Sequence, residues 1–142
     1  MNTRHEILLA QAVGEVKRSP DGCYVSRGTW HDPYSGKTYT RTSDLDIDHV
    51  IPLKWANDHG GSRWSPSQKE MFANDSANLL AVDDRLNQQK GAQGPDQWLP
   101  PNQGYRCEYL AHWKRLLDYY SDLKMTAGES RVFNKQLEVC GF

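Results

Sequence analysis

The chain has 142 residues, of which 25% are charged and 37% hydrophobic, and its formal net charge is −1. This length and composition predict one domain, residues 1–142, and exclude a fibrous or low-complexity protein. No apolar run approaches the roughly 20 residues needed to cross a bilayer, so we expect no membrane partner. The near-zero charge argues against a protein that binds nucleic acid through a broad basic surface.

The N-terminal part of the chain predicts a helix followed by a hairpin. Asn2 or Thr3 can cap the helix. Its apolar face is formed by residues at helical spacing, namely Ile7, Leu8, Ala12 and Val16. Residues 23–30 and 37–41 are rich in aromatic and Thr side chains and predict two strands, joined by a turn at 32–36.

The middle of the chain predicts two core strands and a short helix. Residues 44–50 form the first strand candidate, and the apolar run at 79–82 forms the second. Asp83 or Asp84 can cap a helix that ends at Gly91. The order is therefore strand, long loop, strand and short helix, with the last two adjacent in the chain.

Helices account for the other predicted elements. Residues 53–57 and a segment opened by Ser65 lie between the two core strands. Apolar spacing over 105–120 and a capping box at Thr126 predict an antiparallel helical hairpin at the C-terminus. The predicted fold class is therefore α+β, with an N-terminal helix and hairpin, a small central core and a C-terminal helical hairpin.

Three cysteines, Cys23, Cys107 and Cys140, are too far apart for a Cys-x-x-Cys zinc site, and their odd number allows at most one intrachain disulfide. Reduced, buried cysteines in a cytosolic protein are one alternative. Cys107 lies 14 residues before Ser121, and Cys140 lies 13 residues after Ala127. At ~1.5 Å per residue, both cysteines lie at the same end of the helical hairpin. We therefore predict a Cys107–Cys140 disulfide.

Polar side chains at the end of the first core strand and on the short helix suit phosphodiester hydrolysis. His49 is the candidate general base, because histidine titrates near neutral pH and can take a proton from water. Asp48 and Asn87 offer a carboxylate and an amide oxygen, which are ligands that Mg²⁺ accepts while keeping several waters. Asp48 and His49 are adjacent, so both face one cleft only if the strand ends or bulges there, and nearby Pro52 indicates an end.

Three further residues surround this set. Asp46 joins the metal ligands, orients Lys90 or a metal-bound water, or is a solvated or salt-bridged surface residue. Asn78 either pins the loop between the strands, so that His49 keeps its direction, or caps a turn. Lys90 lies one helical turn after Asn87, where it either reaches a phosphate or Asp46 or is a solvated surface lysine. The candidate phosphate contacts are the cationic residues around the motif, namely Arg41, Lys54, Arg63, Lys69 and Arg85.

Asp48-His49-Val50-x-Pro52, Asn78 and Asn87-x-x-Lys90 resemble the HNH nuclease motif in the form in which asparagine replaces the last histidine. Nearly the whole chain is similar to a bacterial family of small, often secreted HNH endonucleases related to the C-terminal nuclease domain of GmrSD restriction enzymes. The matching stretches are 3–8, 28–36, 44–49, 72–75, 79–82, 87–91 and 95–101.

The resemblance implies a ββα-metal (His-Me finger) core over about residues 44–91. It implies that His49 is the base and that Asp48 and Asn87 bind one divalent cation, with Mg²⁺ favoured over Mn²⁺ and others. The implied activity is hydrolysis of DNA phosphodiester bonds with low sequence specificity, leaving 5′-phosphate and 3′-hydroxyl ends. RNA is the alternative substrate.

Two alternative functions keep the same scaffold. A non-catalytic nucleic-acid-binding module gives no reason for Asp48, His49 and Asn87 to occur together. A secreted toxin or interaction domain implies a protein inhibitor or immunity partner. We expect a monomer that is secreted or periplasmic. A cytoplasmic location is the alternative, because the first residues do not resemble a signal peptide.

Overall fold

A computed structural model describes residues 2–142 as an α+β fold, which confirms the predicted fold class. The helices of this part of the chain are α1 (Thr3–Gln11), α2 (Leu53–Asp58), α3 (Pro66–Ala73), α4 (Asp84–Lys90), α5 (Arg106–Tyr119) and α6 (Ala127–Val139). Its strands are β1 (Lys17–Arg18), β2 (Val25–His31), β3 (Thr38–Arg41), β4 (Leu45–His49) and β5 (Leu79–Asp83).

The strands form two separate antiparallel sheets. One has the order β1-β2-β3, and the other pairs β4 with β5. The second pair is in continuous register, from Leu45 opposite Asp83 to His49 opposite Leu79. Because α4 follows β5 directly, this part of the molecule is a two-stranded ribbon with a short helix on its end.

Local sequence signals set the boundaries of the helices near the ribbon. The Asp83 carboxylate accepts hydrogen bonds from the backbone N–H groups of Arg85 and Leu86, so the last residue of β5 also starts α4. Gly91 ends α4 with a φ of 53°, a backbone conformation that residues other than glycine rarely adopt. Ser65 starts α3 through a capping box.

Two apolar clusters hold these elements together. The smaller cluster joins α1 and β2 to the ribbon, and its buried residues are Leu8, Val25, Trp30, Leu45 and Ala81. The larger cluster joins the other side of the ribbon and its flanking residues to the helices, and its members include Val50, Ile51, Val82, Tyr109, Trp113 and Phe133. The ribbon contributes to both clusters, so it is fixed from both sides.

The first helix is shorter than the sequence spacing predicted. It ends at Gln11, and Ala12 is extended, with φ −66° and ψ 146°. The N–H of Val13 then donates to the carbonyl of Thr29 at 2.7 Å, which draws the chain away from the helix axis. Val16 still packs against the smaller cluster, but it does so from outside the helix.

The outer edge of β5 is covered by a side chain of α1. Gln11 Nε2 donates to the carbonyl of Leu79 at 2.9 Å, and Gln11 Oε1 accepts from the N–H of Ala81 at 2.8 Å. Within the described part of the chain, β5 pairs with β4 on one side only. The amide of Gln11 therefore makes hydrogen bonds that a further strand would make and protects this edge from pairing with another chain.

A disulfide joins α5 to the end of α6. Cys107 and Cys140 have an S–S distance of 2.05 Å and a Cα–Cα distance of 5.6 Å. The pairing is the one that the helical-hairpin argument predicted. Cys23 is exposed and lies outside this disulfide. Among residues 2–142, no helix combines the length and the apolar character that a membrane crossing requires.

Candidate active site

The candidate site lies where β4 meets α4. Asp46 and Asp48 are two residues apart on β4, so their side chains leave the strand on the same face. α4 lies against this face: Asn87 Nδ2 donates to Asp46 Oδ2 at 3.2 Å, and Lys90 contacts Asp48. Two carboxylates from the strand therefore meet an amide and an ammonium group from the helix.

Asp48 is buried and is held by two side chains. Its carboxylate oxygens lie 3.1 Å and 3.0 Å from Lys90 Nζ, and the Tyr34 hydroxyl donates to Oδ2 at 2.5 Å. Lys90 Nζ also donates to the carbonyl of His49 at 2.8 Å. Lys90 Nζ thus donates hydrogen bonds to Asp48 Oδ1 and to the His49 carbonyl, and it forms an ion pair with the Asp48 carboxylate.

Burial dominates the electrostatics of this cluster. It raises the pKa of Asp48, although the charge of Lys90 and the hydroxyl of Tyr34 act in the opposite direction. It lowers the pKa of Lys90, although Asp48 opposes this shift. Burial and the nearby Asp48 charge also raise the pKa of Tyr34 well above its usual range, so the hydroxyl stays a donor. The hydrogen bonds offset part of the desolvation cost of the ion pair.

The position of Lys90 corrects the sequence prediction. We predicted that Lys90 reaches Asp46 or a phosphate, or is a solvated surface residue. Instead the side chain is fully buried and binds Asp48. The reason is that Lys90, in the last turn of α4, points toward the end of β4, whereas Asn87, one turn earlier, lies beside Asp46.

Tyr34 is a site residue that sequence reasoning missed. It lies in the turn between β2 and β3, where the Asp32 carboxylate accepts hydrogen bonds from the backbone N–H groups of Tyr34 and Ser35. Asn102 Nδ2 donates to the carbonyl of Pro33 and fixes the same turn. The stretch 28–36 matched the family, but nothing in its spacing showed that its tyrosine reaches a strand 14 residues further along the chain.

His49 is the last residue of β4, and its imidazole is half-buried. Its Nε2 lies 2.9 Å from the carbonyl oxygen of Ala73, the last residue of α3. The side chains of Asp48 and His49 therefore contact different elements: Asp48 contacts α4 and the turn at Tyr34, and His49 contacts α3. They share the Lys90 ammonium, which binds the Asp48 side chain and the His49 carbonyl.

Asn78 fixes the chain just after His49. It is fully buried; its Oδ1 accepts from the N–H of Ile51 at 2.8 Å, and its Nδ2 donates to the carbonyl of Ile51 at 3.0 Å. The N–H of Val50 also donates to the carbonyl of Asn78. The sequence suggested two roles for Asn78, fixing the loop between the two strands or capping a turn. These contacts match the first role, because they join the end of β4 to the start of β5.

Three of the candidate phosphate contacts lie in different surroundings. Lys54 is exposed and forms an ion pair with Asp58 at 2.8 Å. Arg63 is exposed in the turn between α2 and α3, beside a cavity that is also lined by Asp58 and Asp122. Arg85 is exposed on α4, the helix that carries Asn87. The structure therefore places Arg85 on an element of the site.

Among residues 2–142, no group of three or more His, Cys, Asp or Glu side chains is arranged to hold a metal ion. The described site combines a half-buried Asp46–Asn87 pair, a buried ion pair at Asp48 and an imidazole fixed at the strand end.

The site is of the class in which a two-stranded ribbon is followed by a short helix. Carboxylate, amide and imidazole groups meet at the junction of the ribbon and the helix. Comparison with known proteins then gives the family. The family described as "GmrSD restriction endonucleases, C-terminal domain" matches residues 3–128, so the chain belongs to this family of endonuclease domains. This confirms the resemblance seen in the sequence motifs.

The alignment with one relative continues past residue 128, where the family match ends. An "Uncharacterized secreted protein" of Arthroderma benhamiae (strain ATCC MYA-4681 / CBS 112371) is 41% identical over 141 residues, which cover 98% of this chain and 68% of the relative. The family match ends near the start of α6, whereas this alignment spans nearly the whole chain. No solved structure matches the chain.

Proposed function

We propose that this protein is a divalent-metal-dependent endonuclease that hydrolyses phosphodiester bonds of DNA, with His49 as the general base. Membership of an endonuclease domain family supports the reaction class. The single observation that carries the assignment of the base is the contact between His49 Nε2 and the carbonyl of Ala73.

This contact selects one tautomer of His49. A carbonyl oxygen can only accept a hydrogen bond, so Nε2 carries the proton and Nδ1 keeps its lone pair. Nδ1 can then take a proton from a water molecule, and the resulting hydroxide attacks phosphorus as the P–O bond to the leaving oxygen breaks. The Ala73 carbonyl also stabilises the positive imidazolium that this proton transfer produces.

The donor groups beside α4 fit a hard divalent cation. Asp48 and Asn87, with Asp46 beside them, supply two carboxylates and an amide on a strand and a helix that hold them in place. A cation bound there would neutralise charge that develops on the phosphate and the leaving oxygen. Mg²⁺ is the ion that this oxygen-rich set favours, with Mn²⁺ as the alternative.

A basic row on the three-stranded sheet supports a polyanionic substrate. In the strand registers Lys17 is opposite Arg27, and Arg27 is opposite Arg41, so the three exposed side chains share one face. Arg41 lies 3.6 Å from Asp44, and Glu15 lines the same groove as Lys17 and Arg27. Like charges in register repel each other, and a phosphate backbone would relieve this repulsion.

We propose DNA rather than RNA as the substrate, little sequence preference, and a monomer in an oxidising compartment. The Cys107–Cys140 disulfide supports that location, because disulfides persist mainly outside the cytosol. The word "secreted" in the name of the relative from Arthroderma benhamiae supports the same proposal.

The proposed function is tested by plasmid nicking with Mg²⁺, Mn²⁺ or excess EDTA. We expect EDTA to stop the reaction and His49→Ala to reduce its rate by about 10²–10⁴-fold, the usual contribution of a general base. His31→Ala is the matched control, because His31 is exposed on β2 and among the described side chains it contacts Thr38 by a hydrogen bond, not a site residue. If folded His49→Ala nicked the plasmid at the wild-type rate, the assignment of the base would be wrong.

A further inference from the structure

A cavity adjoins the loop that holds His49. This loop, between α3 and β5, contacts His49 through the carbonyl of Ala73. It also lines a cavity of about 570 Å³ against α5, whose lining residues are Asp75, Ala77, His112, Arg115, Leu116 and Tyr119. Since consecutive Cα atoms are about 3.8 Å apart, Asp75 lies within about 8 Å of Ala73. The cavity is therefore next to the candidate site.

The α5 wall of this cavity carries a cation and an accessible aromatic ring. Arg115 is exposed and has no ion-pair partner within residues 2–142, and Asp118, three residues further on, pairs with Lys114 instead. Tyr119 is 78% exposed. Arg115 and Tyr119 are four residues apart and so lie on the same face of α5. A group that can bind phosphate is therefore adjacent to a surface on which a flat ring can stack.

The acidic residue of the cavity limits what can bind there. Asp75 is bonded within the protein at both oxygens: Oδ1 accepts from the N–H of Ala77 at 2.9 Å, and Oδ2 accepts from the Tyr120 hydroxyl. Its negative charge repels phosphate, so a row of phosphates does not suit this wall. One phosphate at Arg115 and an uncharged flat ring at Tyr119 do suit it. This is the chemistry of a single nucleotide.

The surface beyond Tyr119 is also aromatic. A second cavity of about 480 Å³ shares Asp75 and Tyr119 with the first, and its other lining residues include Trp64, Met71, Phe72 and Tyr120. Asp122 in its wall accepts a hydrogen bond from Trp64 Nε1 at 3.0 Å. Aromatic side chains in series are the surface on which unpaired bases stack. The bases of a duplex are already stacked, and unstacking them costs free energy, so this surface favours an unpaired strand.

We infer that the cavity between α5 and the loop after α3, which we call the α5 subsite, binds one nucleotide of an unpaired DNA strand beside the phosphate attacked in the reaction. Arg115 contacts a phosphate of that strand, and Tyr119 stacks on the base. The subsite rests on the proposed endonuclease function and adds to it a preference for DNA with unpaired bases. Stacking tolerates any base, which agrees with the low sequence preference proposed above.

The test is the binding of a fluorescein-labelled oligo-dT strand and of a duplex of the same length, measured by fluorescence anisotropy in EDTA so that no cleavage occurs. Tyr119→Leu removes the aromatic ring, and Tyr119→Phe keeps it. Arg115→Gln removes the cation. Its matched control is Lys114→Gln, which removes the same charge from the neighbouring residue, where the ammonium pairs with Asp118. Circular dichroism and a urea titration establish that each variant is folded.

We expect Tyr119→Leu to weaken binding of the single strand at least about fivefold, the contribution of one stacked base, and to change duplex binding by less than about twofold. Tyr119→Phe should bind both as wild type does. Arg115→Gln should reduce the slope of log affinity against log salt for the single strand by about 0.7, as for one lost phosphate contact. Lys114→Gln should leave this slope unchanged.

The α5 subsite is ruled out if Tyr119→Leu binds the single strand as wild type does, or if it weakens single-strand and duplex binding equally. It is also ruled out if Lys114→Gln reduces the slope as much as Arg115→Gln, or if wild type binds no single strand. Failure of the proposed function looks different, because it appears as nicking by His49→Ala at the wild-type rate or as nicking that resists EDTA. The binding experiment in EDTA depends on neither.

Discussion

Asn78 shows how one buried side chain fixes the direction of the candidate base. Its amide pairs with both backbone groups of Ile51, two residues after His49, in the way that a neighbouring strand would. Asparagine suits this position because one amide donates and accepts at once. An aliphatic side chain in its place would leave the N–H and carbonyl of Ile51 buried without partners.

We expect Asn78→Ala to lower the free energy of unfolding by about 2–4 kcal/mol, since two buried backbone groups would each lose their partner. Nicking activity of the folded fraction should fall as well, because the segment after His49 is no longer fixed. Urea unfolding and plasmid nicking measure the two effects. Asn134→Ala, at an exposed position on α6, is the control and should change stability by less than about 0.5 kcal/mol.

At the level of residues, the sequence motifs predicted which side chains come together but not all of their contacts. The pleat of a strand predicts that Asp46 and Asp48 share a face, and the helix period predicts that Asn87 and Lys90 do. The offset between strand and helix decides which aspartate meets which partner, and that offset depends on packing in three dimensions. The contact of Tyr34 with Asp48 depends on the same packing, so no spacing could reveal it.

His112 ties helix α5 to the turn that precedes β5. Its Nε2 lies 2.6 Å from the carbonyl of Ala77, the neighbour of Asn78. Burial and the charge of Arg115 lower the pKa of His112, although the Ala77 carbonyl and Asp48 oppose this shift. The neutral ring can donate to Ala77 through Nε2, so the folded protein favours the uncharged form.

The lowered pKa makes this contact sensitive to acid. The unfolded chain binds a proton near the ordinary pKa of about 6.5, whereas the folded chain resists it. Stability should therefore be unaffected by His112 above pH about 7 and should fall as the pH decreases below 6.5. His112→Gln keeps a donor for Ala77 without a titratable ring.

Urea unfolding at several pH values checks this expectation. The free energy of unfolding of wild type should decrease more steeply from about pH 7 to about pH 5 than that of His112→Gln. Histidine titrates in this pH range. His31→Gln serves as the control, because His31 is exposed and bonds only to Thr38 among the described side chains. Parallel curves for wild type and His112→Gln would contradict the role assigned to His112.

The basic row of the three-stranded sheet can be tested as a unit. Replacing Lys17, Arg27 and Arg41 with Gln removes three cationic contacts that share one face. If each contacts a phosphate, the slope of log affinity for duplex DNA against log salt should decrease by about 2–3. Fluorescence anisotropy in EDTA measures binding without cleavage.

A control with the same change in net charge separates this row from general attraction. Lys114 and Lys135 are exposed on α5 and α6, Lys124 is exposed in the loop between these helices, and Lys114 already forms an ion pair with Asp118. Replacing these three with Gln should reduce the salt slope by less than one unit, as expected where no phosphate is contacted directly. Equal losses for both triple variants would show that the row is not a specific contact surface.

At the level of elements, strong local signals predicted most helices and strands well. The helix start at Ser65, the capping box at Thr126 and the apolar strand at 79–82 are each present in the structure. β1 was not predicted, because two residues are too short for any alternation to show. α1 was predicted too long, because Val16 has the spacing of a helical residue but packs from a loop.

In the whole molecule, the ribbon packs on one side against α1 and β2 and on the other side against the C-terminal helices. α5 contributes Tyr109, Leu110 and Trp113 to the larger cluster, and α6 adds Phe133 and Leu137 to it. The residues that contact the candidate site lie on β4, β5, α3, α4 and the turn at Tyr34, not on α6. α6 therefore supports the site through packing alone.

The Cys107–Cys140 disulfide should consequently stabilise the fold without taking part in the chemistry. It closes a loop with a sequence separation of 33 residues. The loss of loop entropy in the unfolded chain makes such a cross-link contribute about 3–4 kcal/mol.

We expect the double change Cys107→Ser and Cys140→Ser to lower the free energy of unfolding by about this amount and to leave the nicking rate at 25 °C close to that of wild type. Cys23→Ser, at an exposed cysteine outside the disulfide, should change neither quantity. If instead the double variant stayed fully folded but stopped nicking DNA, α6 would have to act on the site directly.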